Sequence, residues 1–186
     1  MAKRQTIEER NKGFNSATLK EQRVAIAKDA IKQIKAEKFI AEAGTYLGIE
    51  EELGCEVGDE LQKVLKKRKN KGAVCKVCGI GAAFISTVRL FDNYKIKEEE
   101  LDGWDYSTTL AVEHMDMRIL LSKYFSPSQL SLIECAFEVR WGFGMSDSYK
   151  KDREAAAIFG DKYEDDNERL LAIFENIVAH NGIFKP

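Results

Sequence analysis

Apolar residues recur along this chain at mostly helical spacing. Val24, Ala27, Ile31 and Ile34 stand three or four apart, which places them on one helix face and predicts an amphipathic helix over 19–38. Thr18 and Glu21 have capping-box spacing before it. Lys28, Lys32, Lys35 and Lys38 fall on the other face. The stretch FIAEAGTYLGI, 39–49, changes character: it alternates, carries β-formers and holds two glycines. It predicts a short strand or a small β-hairpin. Leu61, Val64 and Leu65 predict a second helix over 59–69, which runs into the densest basic stretch of the chain, KKRKNKG.

Next comes KGAVCKVCGIGAAFISTVRLF, 71–91. Val74, Val77, Cys78, Gly81, Phe84, Ile85, Val88 and Phe91 keep helical spacing, and no charge interrupts the segment between Lys76 and Arg89. A helix apolar around most of its circumference is expected at the centre of the fold. Gly79, Gly81, Ala82 and Ala83 would let a neighbour approach closely. A further helix is predicted over 107–124, with Leu110, His114, Met117, Leu120, Leu121 and Tyr124 inward. The clearest start signal is SPSQ: Ser126 at N-cap, Pro127 at N1 and Gln129 at N3. Leu130, Ile133, Phe137 and Trp141 form that helix's stripe, with Gly142 as its end. A shorter helix fits 149–159. The last is capped by Asp165 or Asp166 and stopped by Asn181-Gly182. The expected architecture is all-α: about six helices, one central and buried, with room for a small β-hairpin at 39–49. Residues 1–15 read as a mobile N-terminal arm and 16–186 as a single helical domain.

Composition adds limits. At 186 residues, 44% apolar and 32% charged, the chain can bury a core without disulfides or metal. Charges interrupt every window long enough to span a membrane, and the N-terminus lacks the apolar core of a secretion signal. The net charge of −2 conceals a split. Residues 1–76 hold 17 Lys/Arg against 12 Asp/Glu, net +5; residues 77–186 hold 12 against 19, net −7. Such a division can produce one positive surface and one negative.

Candidate chemistry centres on Cys75 and Cys78. A Cys-x-x-Cys pair can serve a zinc site, a redox site or a packed face. Zinc needs four ligands, commonly with a second pair. Here Cys55, Cys135, His114 and His180 are solitary. A thioredoxin-type motif opens a helix after a strand, whereas the polar LKKRKNKG precedes this pair. Packing thiols are the favoured reading, with Cys75 and Cys78 kept as metal candidates and no cofactor expected. His114 reads as a core or boundary histidine and His180 as an exposed residue at a helix C-terminus. No nucleophile elbow, phosphate loop or kinase signature occurs. The acidic clusters at Glu98–Asp105 and Asp161–Asp166 lack EF-hand spacing and read as solvated loops. Lys66, Lys67, Arg68, Lys69 and Lys71 could follow a phosphate backbone, although no aromatic residue interleaves them for base stacking. Trp104, Trp141 and Phe143 are candidate interface anchors.

Four fragments, RVAIAKDAIKQIKAEKFIAEAGTYL, CKVCGIGAAFIS, YFSPSQLSLIECAFE and LLAIFENIVAHNGIFKP, resemble a family of uncharacterised proteins encoded by bacteriophages and prophages. The resemblance runs from Arg23 to Pro186, with Gly79-Ile80-Gly81-Ala82 replacing the family's more usual run. It implies a phage accessory protein in bacterial cytoplasm and carries over no site residue. The expected function is non-enzymatic binding and inhibition of a host protein or ribonucleoprotein, such as a CRISPR-type defence effector, with RNA contact through the basic run and no membrane. The alternatives are a direct nucleic-acid-binding regulator and a small Cys-ligated zinc protein.

Overall fold

The computed structural model describes residues 17–49, 53–67, 70, 72–101, 110–139 and 147–186. The N-terminal arm, Arg68, Lys69, Lys71, Trp104, Trp141 and Phe143 lie outside the described residues. Seven α-helices appear among the described residues: α1 (Ala17–Lys35), α2 (Leu61–Lys66), α3 (Gly79–Leu90), α4 (His114–Leu121), α5 (Pro127–Glu138), α6 (Asp147–Gly160) and α7 (Asp166–Ala179). Four short strands accompany them: β1 (Phe39–Ala41), β2 (Leu47–Ile49), β3 (Cys75–Val77) and β4 (Leu110–Ala111).

The chain is therefore mostly helical but not all-α. Its strands form one mixed sheet in the order β1-β3-β2-β4. β3 pairs in parallel with β1, Phe39 opposite Cys75, and antiparallel with β2, Leu47 opposite Val77. β2 also pairs antiparallel with β4. The expected hairpin at 39–49 is corrected by this order: β1 and β2 are strands, but β3 lies between them. The connection turns at Gly44, whose φ of 85° suits glycine.

The quoted segment was expected to be one helix. It is a strand followed by a helix, because Cys75 and Val77 alternate with outward Lys76 before the helix begins at Gly79. α3 is the central element: Gly79 through Val88 are all buried. It packs against α1, α2, α4 and α5. Gly81 allows the sheet to close on it, since a Cβ there would lie 1.7 Å from the Tyr46 carbonyl oxygen. Gly160 plays the same part between α6 and α5, where a Cβ would meet the Ala136 carbonyl at 1.8 Å.

Several local signals hold, and others move. Ser126 caps α5, its hydroxyl accepting from the Gln129 N–H at 3.3 Å. The Gln129 side chain does not complete the box. It clamps the C-terminal segment instead, accepting from Phe184 N–H at 2.6 Å and donating to the Phe184 carbonyl at 3.1 Å. Asp165 caps α7, and Asn181 and Gly182 follow its end with φ of 52° and 83°. α5 ends at Glu138, before the expected Gly142, with Val139 in the left-handed region. Thr18 lies inside α1 and so is not its N-cap. The helix expected over 107–124 shrinks to α4, and Leu110 enters β4.

The outer edge of β1 is tied to α7. Ala41 N–H donates to Asn167 Oδ1 at 2.8 Å, and Ala43 N–H to Asp166 Oδ2 at 3.1 Å. No helix among the described residues is long and apolar enough to cross a membrane.

Candidate functional site

The C-terminal ends of α1, α2 and α3 converge beside the β1–β3 edge. They enclose a cleft of about 530 Å³, within the range of small-molecule sites. Its floor is apolar: Phe39 and Cys75 from the strands, Leu65 from α2, Ala73, and Ile85 from α3. Its rim is cationic: Lys38, Lys66 and Arg89. Ile85 and Arg89 share a face because they are one helical turn apart. Asn70 fixes the turn that brings the α2 end to this wall, donating to the carbonyls of Leu53 and Val64 at 2.9 Å each.

Asp29 organises one side of the cleft. Its Oδ1 accepts from Gln33 Nε2 at 3.1 Å and its Oδ2 from Arg89 Nε at 3.0 Å. Asp29 thus engages only the Nε corner of the guanidinium. The two terminal amino groups of Arg89 make no hydrogen bond to the described residues, and they form the fork that matches a carboxylate or phosphate. Lys38 Nζ donates to the Gly72 carbonyl at 2.9 Å. Lys66 is exposed and makes no ion pair among the described residues. The opposing effect is that Lys66 and Arg89 sit in the last turns of α2 and α3, where the helix dipoles are negative. Each terminus contributes only about 0.3–1 kcal/mol at a surface and occupies none of these donors.

The two described lysines of the basic run diverge. Lys66 faces the cleft. Lys67 turns the other way, its Nζ 3.3 Å from the Gly54 carbonyl and 3.9 Å from Asp59. The sequence therefore identified two cleft residues, Lys66 and, as a metal candidate, Cys75. It missed Lys38, Gln33, Asn70 and Arg89, which are spread over 33–89 and meet only in the fold.

The paired thiols are placed differently from expectation. Cys75 is on β3 and 3% exposed, and Cys78 is the N-cap of α3 and 1% exposed. This strand-to-helix junction is the setting that a redox pair requires, but burial decides against reactivity. It pushes the Cys78 thiol up to about 12, despite hydrogen bonds from the backbone at Gly81 and Ile80. The buried thiol is therefore a poor source of thiolate at pH 8. Among the described residues, no three His, Cys, Asp or Glu side chains are grouped to hold a metal ion. Ellman's reagent at pH 8 should titrate half-buried Cys55 promptly, and Cys75, Cys78 and Cys135 only after denaturation. Prompt reaction of all four would contradict this burial.

One further polar group, Glu100, departs from the sequence reading, while His114 is a boundary histidine as expected. Glu100, expected on a solvated loop, is fully buried. Its carboxylate accepts from Tyr94 Oη and from Lys97 N–H, the latter at 2.9 Å, and burial pushes its pKa up. His114 belongs to a boundary network with Tyr46, Arg118 and Glu134. Arg118 Nε donates to His114 Nε2 at 2.6 Å, and Arg118 also bonds Glu134. The Tyr46 and His114 rings are in contact at a tilt of 31°, with centroids 4.3 Å apart. Burial lowers the His114 pKa against the opposing pull of Glu134, whose Oε1 lies 3.2 Å from the same Nε2. This network joins the β1–β2 connection to α4 and α5. The i, i+4 spacing of His114 and Arg118 is its one trace in the sequence. No family model, curated protein or solved structure matches this chain.

Proposed function

We propose that this protein is a non-enzymatic binding protein that engages an RNA-containing host complex, with the cleft at Lys38, Lys66 and Arg89 receiving RNA phosphate. The observation that carries the reading is the Arg89 fork, held at one corner by Asp29 and left open beside Lys66. Cationic donors around a concave site are what phosphate recognition uses. The protonated, buried Cys78 and the Arg118-occupied His114 nitrogen favour binding over nucleophilic chemistry. The resemblance to phage accessory proteins supplies the proposed setting, bacterial cytoplasm, and the proposed class of partner, a host ribonucleoprotein such as a CRISPR-type effector.

Fluorescence anisotropy with a labelled single-stranded RNA over a salt series tests this. Affinity should fall steeply with salt. Lys66→Gln should weaken binding about tenfold across sequences and reduce the log–log salt slope by about one. An unchanged slope in that variant would remove the cleft from the interface. Equal affinity for random duplex DNA would favour a direct nucleic-acid-binding regulator instead.

A further inference from the structure

The cleft is built for more than a phosphate. A site that only tracks a backbone needs cations along a groove. This one is concave, about 530 Å³, and has an apolar floor below a cationic rim. Phe39 is only 3% exposed, so it offers little ring surface for stacking. Leu65 and Ala73 are half-buried and widen that floor. Gln33, 7% exposed, shares the Asp29 carboxylate with Arg89, its amide nitrogen donating to the second oxygen. That bond orients the side chain and leaves its carbonyl oxygen as an acceptor for a ligand N–H. Cationic donors, an apolar floor and a fixed amide supply partners for the phosphate, the sugar-and-base body and the base edge of one nucleotide.

We propose that the cleft holds a single nucleoside monophosphate unit, its phosphate on Arg89 and Lys66, its base over Leu65, Ala73 and Ile85, and its edge donating to Gln33. The unit is either a free nucleotide or the 5′-phosphorylated end of an RNA. This inference rests on the reading of the cleft as a phosphate site and names what that site selects. Asp29 is a positioning residue: it touches no ligand and sets the angle of both Gln33 and Arg89.

Calorimetry on the full chain tests the proposal with uridine and adenosine 5′-monophosphates, ribose 5-phosphate and inorganic phosphate. A nucleoside monophosphate should bind one to one and at least tenfold more tightly than inorganic phosphate. Ala73→Leu fills the floor at a half-exposed loop position. It should abolish nucleotide binding while leaving the melting temperature near wild type. Lys66→Gln, at an exposed position, should weaken the binding of both nucleotide and RNA. A 5′-phosphorylated oligoribonucleotide that binds tighter than its 5′-hydroxyl counterpart, while free nucleotides bind weakly, would assign the site to RNA ends. Equal affinities for nucleotide, ribose 5-phosphate and inorganic phosphate would overturn the pocket but leave the phosphate grip standing. Loss of RNA binding by neither variant, with no nucleotide binding at all, would overturn both.

Discussion

Gly81→Ala should destabilise the fold by about 3 kcal/mol or more, at the upper end of overpacking costs. The new methyl carbon would stand 1.7 Å from the Tyr46 carbonyl oxygen and 2.9 Å from its carbon. Both are backbone atoms, so no rotamer change relieves the clash. Tyr46 is also held, because its carbonyl accepts from Cys78 N–H at 3.3 Å and Leu47 is paired with Val77. Relief would require the sheet to slide from the α3 N-terminus. Alanine's better helix propensity returns only about 1 kcal/mol, so the sign is not in doubt. A fall of about 10 °C in melting temperature is expected for a chain of this size. Gly72→Ala is the control, with nothing within 4 Å of its added carbon, and should stay within about 0.5 kcal/mol of wild type. A Gly81→Ala protein as stable as that control would show that the sheet and helix are not in contact there.

Arg169→Ala should cost about 3–5 kcal/mol, the range for breaking a buried charged network. This side chain, 9% exposed, links three segments. It donates to the Gly160 carbonyl at 3.1 Å, the Phe137 carbonyl at 3.3 Å and the Tyr163 carbonyl at 2.6 Å, and it pairs with Asp166. Truncation leaves the carbonyls at the ends of α5 and α6 without these donors, and unpaired buried groups cost more than a bond returns. Arg169→Lys should recover less than half of the loss, because one ammonium cannot reproduce a planar fork reaching separate acceptors. Urea unfolding gives the comparison. A lysine variant matching wild type would show that charge alone, without the fork, holds the corner.

The helices were legible where a single face carried the signal. Ser126-Pro127, Asp165 and Asn181-Gly182 mark their ends by local chemistry, and the structure uses them that way. The sheet was not legible, for a physical reason. Its strands are two or three residues long, so period-two alternation has no length in which to differ from a helical stripe. Cys75-Lys76-Val77 joined the apolar run of α3 because both are buried, one at a strand's spacing and one at a helix's. β3 also pairs with residues about thirty positions away, which no local pattern encodes. The cleft shows the same limit. Lys66 stood out because it belongs to a run of like charge. Arg89 only marked the end of an uncharged segment, and Lys38 looked like one more surface lysine of the helix expected over 19–38. Asp29, which orients the cleft, is an unremarkable acid in the sequence.

The Asn167 tether bears on how other molecules can read this protein. A peptide that recognises a sheet by lying alongside it needs the outward N–H groups of the terminal strand. On the β1 side the Ala41 donor is already committed to a helix side chain, so an incoming chain would have to evict Asn167 first. Such sealing is also a guard against edge-to-edge aggregation. On the other side, β4 is a two-residue rung among the described residues. The proposed binding through side chains, the Arg89 fork among them, needs neither strand edge.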